Sequence, residues 1–167
     1  AVAVAPSDSE VIWVGTGEGN DRNSCGWGNG VYVSTNGGGS WRHVGLTNSR
    51  AIRDIVVHPT NASLAYVAAA GSLWAPGGER GLYQTTDGGE SWQLILAARK
   101  PHDALAGCSD VIMDPQNSET LYAALYARQR KPWGFFYGTN ITEGGADVGG
   151  IFKSTDGGAN WNKLTNS

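Results

Sequence analysis

The chain has 167 residues, with 25 Gly, seven Trp and a formal net charge of -3. That length carries one domain with a real core. The acidic balance leaves no basic footprint for nucleic acid, and the apolar runs are far too short for a membrane span, so neither partner is expected.

In chain order, the first apolar run is Val2 to Val4, ahead of a turn at Ala5-Pro6-Ser7-Asp8. A β-type run follows at Val11 to Val14, then a Gly-rich loop from Gly15 to Gly30. Gly30 to Val33 reads as the next strand and leads into STNGGGSW at Ser34 to Trp41. The same order returns twice. The second set is Ile52 to Val57, the turn at His58-Pro59-Thr60-Asn61, Leu64 to Val67, Gly81 to Gln84, and TTDGGESW at Thr85 to Trp92. The third is Val111 to Met113, the turn at Asp114-Pro115-Gln116-Asn117, Thr120 to Ala123, Gly150 to Lys153, and STDGGANW at Ser154 to Trp161. Pro followed by Asn or Asp is turn chemistry between strands. Gly interrupts every helix-period stretch, so no helix is expected.

The Gly-rich octapeptides predict one kind of corner. Asn36, Asp87 and Asp156 each stand two positions after the hydroxyl residues Ser34, Thr85 and Ser154. A carboxylate or amide there accepts from nearby backbone N–H groups and closes an Asx-type turn. Paired glycines supply the positive φ of a tight hairpin. Trp41, Trp92 and Trp161 then open the following strand with a large apolar ring to bury.

These octapeptides resemble the Asp-box, or bacterial neuraminidase repeat (BNR), of β-propellers in sialidases, xyloglucanases, sortilin-type receptors and photosystem assembly factors. The text between them, such as VGTGEGNDRNS and VVHPTNASLAYVAA, is similar to bacterial propeller proteins described as sortilin-like or glycosyl hydrolase-like. The resemblance spans nearly the whole chain. Asn36 departs from the usual Asp, but its carbonyl can still accept, so the corner survives without a charge. In this family the box is a structural corner, so the resemblance implies a fold and not an activity.

The expected fold is therefore all-β: one propeller segment over residues 1–167, built of three four-stranded antiparallel blades at about 1–45, 51–97 and 107–165. A two-layer sandwich is the structural rival, and the matching corners argue against it. In an up-down meander the Pro turns and the corners lie at one end of the blades. The long, dissimilar loops and the links between blades lie at the other, where function usually sits.

Candidate ligand contacts at that end are Glu18, Asp21, Arg22 and Trp27 in the first loop, and Trp74 and Arg80, with Glu79, in the second. Trp133 and Tyr137 follow in the third, from Ala127 to Gly149, beside Arg128, Arg130, Lys131, Phe135 and Phe136. Aromatics among charges suit stacking on sugar rings or gripping a peptide. Equally, they suit packing against neighbouring blades, and the Arg128-Gln129-Arg130-Lys131 run suits a solvated rim. Glu18 and Arg22 fit a loop held by its own side chains as well as a ligand site.

Asp54 and Asp110 recur five residues before Pro59 and Pro115 and are the candidate catalytic carboxylates. Paired carboxylates near a propeller axis fit glycoside cleavage. A residue repeated blade after blade also fits a structural cap. Glu18, Asn20, Asp21 and Asn23 do not match an EF-hand loop, the histidines are scattered, and GTGEGN is not a dinucleotide fingerprint, so no metal or cofactor is expected. Cys25 and Cys108 are placed in loops of one face, either as free thiols or as a pair.

Two functions follow: a non-catalytic module binding a protein or carbohydrate, and a glycoside hydrolase-like domain. Three blades leave a ring unclosed. A homodimer closing a six-bladed ring and a place within a larger propeller both complete it. The chain begins AVAVAPSDSE without a basic signal start, which fits a removed signal or a piece of a longer protein. Secretion or the periplasm is favoured.

Overall fold

The computed structural model describes residues 1–20, 22, 24–98, 105–137 and 149–165, without the side chains of Phe136 and Tyr137. Its strands are β1 (Val2–Ala5), β2 (Asp8–Gly15), β3 (Val31–Ser34), β4 (Arg42–His43), β5 (Ile52–His58), β6 (Asn61–Ala69), β7 (Gly81–Thr85), β8 (Gln93–Leu96), β9 (Ala106–Asp114), β10 (Asn117–Lys131), β11 (Gly134–Tyr137), β12 (Gly150–Ser154) and β13 (Asn162–Lys163). No helix occurs among the described residues. The strands form three antiparallel sheets: β1-β2-β3-β4, β5-β6-β7-β8, and β9-β10-β12-β13 with β11 paired to the far end of β10.

The corners repeat atom for atom. The hydroxyl of Ser34, Thr85 or Ser154 donates to Asn36 Oδ1 (2.9 Å), Asp87 Oδ1 (2.8 Å) or Asp156 Oδ1 (2.7 Å). The same hydroxyl accepts from the N–H of Gly38, Gly89 or Gly158, each at 2.9 Å. Gly37, Gly88 and Gly157 donate back to the carbonyls of Glu10, Ser63 and Glu119, at the start of each second strand. Corners and Pro turns therefore share one end of the blades, as the meander requires.

The second glycine of the corner has two reasons to be there. Its φ is +91° at Gly38, +88° at Gly89 and +94° at Gly158, a region side chains rarely adopt. A Cβ on Gly89 would also come within 2.7 Å of Val44, and one on Gly158 within 2.7 Å of Ile95. The second and third corners thus press on the preceding blade, at Val44 just past β4 and at Ile95 on β8.

The core lies between blades rather than within them. Alternation along β6 splits its side chains between two seams. Ala65, Val67 and Ala69 join Trp13, Val31, Val33, Val44, Ile55 and Val57 between blades one and two. Tyr66 and Ala68 join Leu82, Cys108, Val111, Leu121, Ala123 and Leu125 between blades two and three. The outward faces of the end blades stay uncovered, with Val2, Val4, Ile112 and Ile151 exposed.

Three expectations need correction. The third long loop is partly a hairpin: β10 runs on to Lys131 and returns as β11. The tryptophans precede their strands rather than opening them: the last bend falls on Ser40, Ser91 and Asn160, and pairing begins one residue after each ring, at Arg42, Gln93 and Asn162. Cys108 is buried in β9, not in a loop, and both Cys25 and Cys108 are free thiols. Burial pushes the Cys108 thiol up to about 12.

Candidate recognition face

The loop-bearing end is assembled by ties between blades. Gly19 O of the first loop accepts from Arg53 on β5 and from Arg128 Nη1 on β10 (3.2 Å). Gly28 N donates to Arg50 O (2.9 Å), and Arg130 N donates to Leu73 O of the second loop (2.8 Å). Loops of all three blades are thereby fixed to one another.

A bulge aims Arg53 at that junction. On β5 the register slips between Ile52 and Asp54, leaving Arg53 as the extra residue. On β9 it slips between Cys108 and Asp110, leaving Ser109 in the corresponding place. Bulges redirect a side chain without ending the sheet.

The bulges also place the two candidate carboxylates. Asp54 Oδ1 accepts from Ile55 N (2.8 Å), and Oδ2 accepts from Val111 N of the next blade (3.4 Å). Burial raises the Asp54 pKa, and the neighbouring Asp110 adds to the rise. Asp54 is half-buried, whereas Asp110 is exposed. The arrangement ties one blade to the next.

Among the ligand candidates, Trp27 is 65% exposed and Trp133 is 79% exposed. The Arg50 guanidinium stacks over the Trp27 ring at 5.0 Å from its centroid, and Arg130 lies 5.6 Å from that of Phe135. Glu18 and Arg22 pair with each other, and Glu18 also accepts from Gly26 N, so the first loop is held by its own side chains. Arg22 draws the Glu18 carboxyl below its usual range. Trp74 is half-buried. Asp21 lies outside the described residues, as does the Tyr137 side chain.

Arg80 was expected to face a ligand, and the structure overturns that. It is only 6% exposed. Its guanidinium donates to the carbonyls of Gly77 (2.8 Å), Ala70 (2.7 Å), Ala75 (2.8 Å), Leu105 (3.1 Å) and Ser72. Arg80 holds the second loop in shape, and burial lowers its pKa to about 10. Arg128 is likewise buried rather than part of a solvated rim.

Sequence reading passed over Arg50 and Arg53. Both lie in the link between blades one and two or on the strand it enters, and only spatial proximity joins them to the loops. The positive φ of Arg50, +61°, fixes its approach to Trp27. Among the described residues, no three His, Cys, Asp or Glu converge as a metal site would require.

No curated protein matches the chain. Solved structures do. A GH74 xyloglucanase from Xanthomonas campestris is 20% identical with a TM-score of 0.61, over 98% of this chain and 21% of that one. An ancestral GH74 enzyme is 18% identical with a TM-score of 0.51, over 99% and 24%. The GH74 enzyme of Niastella koreensis is 20% identical with a TM-score of 0.50, over 97% and 28%. At such identities the likeness shows the fold alone, and the chain spans 21% to 28% of the length of these structures. The family model described as "Sortilin, neurotensin receptor 3" matches residues 29–167. With three repeated blades, their corners at one end and their loops at the other, the chain belongs to the Sortilin-Vps10 family.

Proposed function

We propose that the chain is a β-propeller binding module that takes a protein or carbohydrate ligand on its loop-bearing end. The observation that carries this reading is the pair of exposed indoles, Trp27 and Trp133, on loops tied across three blades. Exposed rings on a braced scaffold bind at little cost in ordering. Arg50 supplies charge beside the Trp27 ring, and Arg130 lies over Phe135 on the hairpin that carries Trp133. Glycan and peptide arrays probed with the wild-type chain and a Trp27→Ala/Trp133→Ala variant test it.

The glycoside hydrolase-like reading has less support. Cleavage with inversion or retention needs carboxyl groups about 5–10 Å apart, with sugar or water between them. Asp54 is instead occupied by two backbone N–H groups, one of them from the next blade.

The tie from Val111 N to Asp54 bears on assembly. Asp110 stands one blade on from Asp54 and is exposed, beside the uncovered Ile112 and Ile151. In our reading a further blade covers this face and offers Asp110 the N–H that Val111 offers Asp54. The blade comes from a larger ring or from a second copy closing six blades. Light scattering separates the two: a dimer supports the second copy, and a monomer that binds added blades of the larger ring supports the first.

A further inference from the structure

A groove of about 550 Å³ opens between blades two and three at the corner end, far from the loop face. One wall is the face of blade two, with Leu64, Tyr66, Gln84, Gln93 and Ile95. The other is the third corner, with Glu119, Asp156, Gly157 and Ala159.

The seam between blades one and two offers the same positions with different residues. There Arg42 on β4 reaches across to the second corner. Its Nη1 pairs with Glu90 (2.8 Å), and its Nη2 donates to Gly88 O (3.1 Å). Trp92 also crosses that seam, donating from Nε1 to Val44 O (2.6 Å) and packing on Trp13.

One blade on, each part of this closure has changed. Gln93 stands in the place of Arg42, Ala159 in that of Glu90, and Tyr66 in that of Trp13. Trp161, the counterpart of Trp92, donates to Gly158 O of its own corner (3.0 Å) instead of crossing. Tyr66 Oη (2.9 Å) and Gln84 Nε2 (3.2 Å) take over the carbonyl of Gly157, the counterpart of Gly88. The space that the Arg42 side chain spans in the first seam is therefore open in the second. A carboxylate has moved in beside it: Glu119 replaces Ser63, and a Cβ on Gly157 would meet its Oε2 at 2.9 Å. That carboxylate accepts no hydrogen bond from the described residues.

We infer that this groove is a binding site for a cationic side chain, an arginine of a partner peptide, which lies where Arg42 lies in the first seam and pairs with Glu119. The chain supplies its own template for the occupant: the same backbone frame already holds a guanidinium one blade earlier. The adjoining strand β8 is the last of its sheet, so its outer edge is open to an extended peptide. Leu94, exposed on that strand, offers the peptide an apolar contact.

The test is an NMR titration of the full chain with a blocked alanine peptide carrying one central arginine. Parallel arms carry lysine or the uncharged isostere citrulline. Saturable shifts at the Gln84 and Gln93 side-chain amides and at the Gly157 and Gly158 N–H groups are expected, strongest for arginine and lost for citrulline. Glu119→Gln weakens binding about tenfold, the loss of one charge-assisted contact. Gln93→Arg with Ala159→Glu rebuilds the closure of the first seam and abolishes binding, with folding checked by thermal melting. If that double variant does not fold, Glu119→Gln decides. Equal binding of the citrulline peptide, undiminished binding to Glu119→Gln, or no shift in the groove at millimolar peptide overturns the proposal.

Discussion

Trp92 meets Trp13 edge-on across the first seam, with ring centroids 6.2 Å apart and planes at 83°. Trp13 is fully buried and donates from Nε1 to Ala62 O (3.3 Å), so both indoles are anchored in the neighbouring blade. Trp13→Ala removes the largest buried ring of the seam and is expected to cost about 3–5 kcal/mol. Trp92→Phe keeps a ring but strands the Val44 carbonyl, at about 1 kcal/mol. Urea denaturation measures both; a Trp13→Ala loss below that of Trp92→Phe would contradict the seam.

Arg80 is expected to behave as a structural residue. Arg80→Ala leaves several carbonyls unsatisfied and destabilises the chain by about 3 kcal/mol or more. Arg80→Lys keeps the charge but cannot reach as many acceptors, so it recovers only part of the loss. Hydrogen exchange at Ser72 to Glu79 reads the local effect. A ligand-binding role predicts the opposite: lost affinity with an unchanged melting curve.

Two aspartates give opposite pH slopes. Asp87, held by Ser91 and Thr85, has its pKa lowered to about 2. Its contribution is present above the unfolded value of about 3.9 and is lost as pH falls toward 2. Asp54 is raised, chiefly by burial. Its contribution is present below about 3.9 and is lost as pH rises through the raised value. Asp87→Asn should flatten the acid limb of the urea midpoint without disrupting the corner. Asn36 shows why: its Oδ1 accepts from Ser40 N (2.8 Å), and its Nδ2 donates to Ser40 Oγ (3.0 Å). Asp54→Asn should remove the falling slope above pH about 4. An unchanged acid limb in Asp87→Asn counts against the corner's titration.

The fold was legible because its determinants are local. Corner chemistry at Ser34, Asp87 or Gly158 is written within eight residues, and recurrence fixed the polarity of the blades. The site was less legible because its determinants are not local. Arg80 and Trp27 look alike on paper, a large side chain in a Gly-rich loop. Only the folded chain reveals that one is clamped by carbonyls and the other is exposed. The β10–β11 hairpin was hidden for a related reason: Arg128 to Lys131 reads as a charged rim, yet β10 extends because its backbone pairs with Phe135 and Phe136. Bulges at Arg53 and Ser109 leave no mark in the sequence pattern and emerge only in strand register.

The loop-end claim is tested most directly by comparing two tryptophan variants on the same ligand array. Trp27→Ala/Trp133→Ala removes the exposed rings of the loop end, and Trp41→Ala removes the exposed ring of the corner end. Captured ligands should be lost in the first variant and retained in the second, with both melting as the wild type does. Capture that survives loss of Trp27 and Trp133, or that disappears with Trp41 alone, would contradict it.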